Sequence, residues 1–169
     1  MIEAAQDLER ERAGLQETMS LLAALAANVE ASIGRPANAM AFVAGKKLGQ
    51  RFAADVPPTD DLEAALEQVG KVLHDNDCMW HFETWKPTAQ RSLVTAHQDG
   101  GEEVMLVFRD CMIRQSLFRY GHAQKGSLCY MMYGFFSGAL EKIMGRRSEL
   151  EIVHAGENAC LKRLKIKAK

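Results

Sequence analysis

The spacing of apolar and polar positions changes several times along the chain, and each change marks an element. From the start to about Gly34, Leu8, Leu15, Leu22 and Val29 recur every seven residues. Met19, Ala26 and Ile33 fill the companion row, which Arg12 interrupts. This stripe predicts one long helix over residues 1–34. Such a helix either lies across its own domain or pairs with a second copy. Its leading part, "AAQDLERER", offers little apolar surface to bury within a monomer, which favours pairing. Gly34 ends the helix, and Pro36 suits the first turn of the next. In "AMAFVAGKKLGQRFA", Gly45 and Gly49 share one helix face. Glycine there costs roughly 1 kcal/mol each relative to alanine, so a neighbouring helix or a ligand is expected to approach closely. The prolines of "VPPTDD" break the chain, Asp60 with Glu63 reads as a capping box, and Leu62, Leu66, Val69 and Leu73 form the apolar face of a third helix.

The pattern then shortens to period two. "MWHFETW" alternates and is aromatic, as in a strand. "RSLVTAHQ" and "EEVMLVFRD" flank the turn signal Asp99-Gly100-Gly101. "CMIRQSLFRYGHAQKG" extends the strand or forms a short helix and loop. Residues 127 to about 145 return to helical spacing, and "SELEIVH" and "ACLKRLKIK" close the chain as a hairpin. The fold class expected is α+β, an antiparallel sheet packed with helices, preceded by the long first helix. Residues 1–34 form one unit and residues 35–169 the other.

Composition narrows the function. The 169 residues suffice for one domain with a real core. The net charge of −1 gives no field that would favour nucleic acid or an anionic membrane. No apolar run approaches the roughly 18 residues that span a bilayer, and "MIEAAQDLERER" is no signal peptide, so a cytoplasmic protein is expected. The basic end "LKRLKIKAK" reads as the wet face of an edge strand. No dinucleotide or Walker loop, no G-x-S-x-G and no H-E-x-x-H is present. The histidines are scattered, and none of the four cysteines sits in a C-x-x-C pair.

One helix remains as a candidate for chemistry. In "SLCYMMYGFFSGALEKIMGRR", Cys129, Met132, Tyr133, Phe136, Leu140 and Ile143 fall on one stripe, and Gly134, Ser137 and Gly138 form a small-residue patch beside it. This is either a core helix packed on the sheet or the wall of a pocket for an apolar molecule.

The order of motifs resembles the 4-vinyl-reductase, or hydrocarbon-binding, domain family. Cys129 opens a helix, Gly134 and Gly138 follow, Met144-Gly145-Arg146 ends it, and Gly156-Glu157-Asn158-Ala159-Cys160 stands at the hairpin turn. "AFVAGKKLGQRFA" and "DLEAALEQVGKVL" look like the family's two preceding helices. The resemblance spans about residues 28–167. It implies a fold related to haem-NO-binding domains and TRAPP subunits, a mostly closed apolar pocket and a homodimer. In phenol-sensing members it implies a structural zinc, and carried over here the ligands are Cys129, Glu149 and Cys160. The expected additional thiolate is missing, because Ile152 stands there. His154 is a substitute, but strand alternation turns Glu149 and His154 to opposite faces unless a bulge intervenes.

For the pocket, Trp80, Phe82, Phe108, Met132, Tyr133 and Phe136 are apolar wall candidates, and His81, Tyr120 and His122 polar anchors. Haem is a weaker expectation, with His122 as the axial candidate. The reading that results is a non-catalytic binder of an apolar or aromatic small molecule, signalling or delivering it through dimerisation or a protein partner. Its rivals are an accessory that presents a tetrapyrrole or vinyl-bearing substrate to a reductase, and a TRAPP-like scaffold.

Overall fold

The two helices that carry paired glycines in the sequence are pressed together at the centre of the molecule. The computed structural model describes residues 2–76, 78, 80–109, 111, 113–114, 124–156 and 159–168, with backbone alone for residues 2–6, 8 and 12. In chain order the elements are α1 (Ile2–Ile33), α2 (Pro36–Phe52), α3 (Leu62–Asp75), β1 (His81–Trp85), β2 (Thr95–Ala96), β3 (Glu102–Arg109), α4 (Ser127–Met144), β4 (Ser148–Ala155) and β5 (Ala159–Ile166). This is the α+β architecture that the alternation of periods predicts. Gly34 and Gly145 end α1 and α4 with φ of 65° and 66°, a left-handed conformation that a β-carbon disfavours. The cap of α3 lies one residue later than expected. The side chain of Asp61, not Asp60, accepts from the Ala64 amide at 2.8 Å.

A methyl group at Gly45 or Gly49 would land on the carbonyls of Met131 and Phe135, and one at Gly134 or Gly138 on those of Phe42 and Lys46. α2 and α4 therefore meet backbone to backbone, with no side chain between them at these points. The close neighbour expected at Gly45 and Gly49 is a helix, and the small-residue patch of α4 is its counterpart.

The sheet is antiparallel with strand order β1-β3-β5-β4. β5 pairs along the whole of β3, so β2 lies on the same edge of β3 as β1. β5 is thus interior to the sheet, which corrects the edge-strand expectation. One face of the sheet packs under α4 with Val104, Leu106, Phe108, Leu150, Leu164 and Ile166, all buried. The other carries a polar lattice in which Arg163 reaches Glu103 and Glu151 at 3.3 and 3.1 Å. Arg146, buried at the end of α4, pairs with Glu102 and donates to the carbonyls of Lys167 and Gly100, fixing the helix to the sheet.

α1 touches this body near its C-terminal end. The carboxylate of Glu30 accepts from both the amide and the hydroxyl of Ser127 at 2.5 and 2.6 Å. A carboxylate over the first turn of α4 is favoured by the unpaired amides there. Along α1, Leu15, Leu21, Leu22, Leu25, Val29 and Ile33 are exposed. No helix among the described residues is long and apolar enough to cross a membrane.

Candidate functional site

Alternation along β5 turns Cys160, Lys162, Leu164 and Ile166 toward α4 and Leu161, Arg163 and Lys165 away from it. Lys162 is adjacent to Arg163, so a strand that presents one to water must present the other to the core. Lys162 is 2% exposed. This residue was missed in the sequence, although two neighbouring basic residues in an alternating strand were the available signal.

Around Lys162 the interior is aromatic and sulfur-rich. Its Nζ lies 4.2 Å from the centre of the Phe108 ring, 5.3 Å from that of Tyr133 and 2.8 Å from the Met132 sulfur. Cation and ring face attract, but a thioether is only a weak acceptor. Among the described residues no carboxylate is paired with Lys162, and the ionisable groups that act on it are the thiols of Cys111, Cys129 and Cys160. Burial pulls the Lys162 amine down from its ordinary value, with the three thiols working against the shift. Burial likewise pushes the Cys129 and Cys160 thiols and the Tyr133 hydroxyl up, so all three hold their protons more tightly.

Beside this group, Phe82, Phe108 and Phe136 meet with ring centres 5.2 to 5.6 Å apart. Phe135 extends the row to Trp80 at 5.6 Å. Trp80 is 4% exposed, and its Nε1–H has no partner among the described residues. A buried donor without a partner forfeits the hydrogen bond it made in water.

The structure brings Trp80, Phe82, Phe108, Met132, Tyr133 and Phe136 into one interior. It does not add His81, which pairs in register with Arg109 and is exposed. Tyr120 and His122 lie outside the described residues. Cys129 and Cys160 are buried, and Cys111 joins them from a segment that gave no signal. The bulge on which Glu149 and His154 depended is present, with Val153 as the extra residue. It sets His154 opposite Leu161 and leaves Glu149 opposite Lys165, on one face, but that face is turned away from Cys160. Glu149 pairs there with Lys167 at 2.5 Å. Among the described residues no group of three or more histidine, cysteine, aspartate or glutamate side chains is disposed to hold a metal ion. Of the four metal candidates, Cys129 and Cys160 lie in this interior, while Glu149 and His154 lie on the outer face of the sheet.

No family model matches the sequence, and no curated protein matches it. Solved structures do match. One is the crystal structure of the phenol-responsive sensory domain of the transcription activator PoxR with phenol, at a TM-score of 0.64 and 17% identity. The match covers 88% of this chain and 74% of that one. The two share a fold.

Proposed function

We propose that this chain is a non-catalytic small-molecule-binding domain of the 4-vinyl-reductase type that takes an apolar, ring-bearing ligand between α4 and the sheet. The observation that carries the reading is the interior itself. Three phenylalanine rings, a tyrosine, an adaptable methionine and a lysine without an oxygen partner converge in a fold that, in the PoxR sensory domain, is found with phenol. Flat apolar walls with a few polar groups are what a small ring compound requires. Burial pushes the Cys129 and Cys160 thiols toward their protonated forms, which weakens them as nucleophiles.

Output runs through α1 in this reading. Its exposed apolar row is suited to the same row of a second copy, and Glu30 ties it to the first turn of the helix that walls the site. Residues 35–169 would hold the ligand and residues 1–34 would carry the signal to the partner chain or another protein.

The test is calorimetric titration of the purified protein with a panel of apolar and aromatic compounds, beside its visible spectrum. Saturable binding of ring compounds by a colourless protein is the expected result. An intense pigment band would instead point to a tetrapyrrole accessory, and failure to bind any compound of the panel would leave a TRAPP-like scaffold. Removing residues 1–27 should weaken self-association, and an unchanged dimer would remove α1 from the output.

A further inference from the structure

We propose that Lys162 is the polar anchor of this interior and that the ligand it selects is an aromatic carboxylic acid. The inference rests on the reading that a ring compound binds between α4 and the sheet, and it fixes the chemical class of that compound.

The argument begins with what Lys162 lacks. Its Nζ is enclosed by the Phe108 and Tyr133 rings and the Met132 sulfur, and no carboxylate or carbonyl oxygen among the described residues accepts from it. Among the described residues of the sheet, Glu103, Glu149 and Glu151 lie on the outer face, engaged by Arg163 and Lys167, and Glu102 is taken by Arg146. The first three cannot cross the sheet to serve Lys162. Burying such a donor without an oxygen acceptor is costly. The Trp80 indole N–H, bordering the same aromatic row, is a second buried donor without a partner among the described residues. It connects to Lys162 through the continuous row Phe135, Phe136 and Phe108. A buried amine that faces only rings and a thioether calls for a guest that brings acceptor oxygens.

A carboxylate supplies acceptor oxygens only, and a neutral amide of the same shape carries donors that find little to bind. The Met132 thioether now stands where the oxygen would sit. Its side chain is flexible enough to yield that place, and the ring of the acid would lie against the edges and faces of Phe82, Phe108 and Phe136. A phenol shares the ring but offers one oxygen that is both donor and acceptor, so it satisfies the lysine less fully.

Isothermal titration of benzoate, benzamide and phenol into the full chain and into Lys162→Met decides the matter. Benzoate is expected to bind wild-type protein about tenfold to a hundredfold more tightly than benzamide, the range of one charge-assisted hydrogen bond. In Lys162→Met this preference is lost while benzamide and phenol still bind. Equal affinity of benzoate and benzamide for wild-type protein would overturn the anchor and leave ring binding standing. Preference for benzoate that persists in Lys162→Met would also overturn it. If none of the three binds wild-type protein, ring binding itself fails and the anchor fails with it. The wild-type ratio needs no variant, so a Lys162→Met protein that does not fold leaves the test intact.

Discussion

On one side of α4, Gly134 and Gly138 bring the helix backbone against α2; on the other, Met132, Tyr133 and Phe136 extend toward the sheet. The first side excludes every side chain at its crossing point. The second is built from the largest and most adaptable residues of the core. The difference teaches where this molecule can accommodate change. A backbone-to-backbone crossing has no rotamers to adjust, whereas a layer of methionine and aromatic rings has many.

Substitutions sharpen that contrast, beginning with the largest effect. Phe136→Ala removes a fully buried ring that touches Phe82, Phe108 and Phe135. It should cost about 3–5 kcal/mol in chemical denaturation. Gly134→Ala adds one methyl on the opposite side of the same helix, against the Phe42 carbonyl. A loss of about 3 kcal/mol is expected, despite the helix propensity gained, because the helices must separate. If Gly134→Ala is neutral, the two sides of α4 are not different in kind.

Lys162→Met should move stability the other way, by about 2 kcal/mol at neutral pH, because it removes a buried cation without a counter-charge. The folded chain holds the Lys162 amine below its ordinary value. The unfolded chain therefore binds more protons through this residue, and the wild-type protein gains stability as pH rises. The gap between wild type and variant should narrow toward the ordinary lysine value in parallel denaturation series. A gap that widens with pH would contradict the burial of Lys162. Glu30→Ala, which strips the carboxylate from the first turn of α4, should cost about 1 kcal/mol. Last, Gly14→Ala on exposed α1 meets nothing within contact distance and should stabilise by up to ~1 kcal/mol. It is the control for Gly134→Ala.

Much of the fold was legible because it follows from local periodicity. The run of helices, strands, helix and hairpin is present as predicted, and so are the stop at Gly34 and the buried face of Leu62, Leu66, Val69 and Leu73. Gly45 and Gly49 announced a close approach and Gly134 and Gly138 a small-residue patch, but spacing within each helix says nothing of which partner arrives, and only the structure joins them. The site was legible in part. The six residues expected as apolar walls share one core, since inward-facing aromatics have few other places to go. The polar side was not. His81 falls on the outer face because alternation from Phe82 requires it. The bulge at Val153 shifts His154 to the side of Glu149, and no residue type in "SELEIVH" signals where a bulge will fall. Lys162 escaped because a run of basic residues reads as solvated until the strand's neighbours on both sides are known.

In the proposed reading, the bond from Glu30 to Ser127 links occupancy of the interior to assembly through α1. Whatever factor ligand binding imposes on the pairing of α1, pairing must impose on ligand affinity, because the two equilibria close one thermodynamic cycle. If α1 pairs as proposed and that factor differs from one, dilution alone changes the apparent affinity for a ring compound, and Glu30→Ala makes affinity independent of protein concentration.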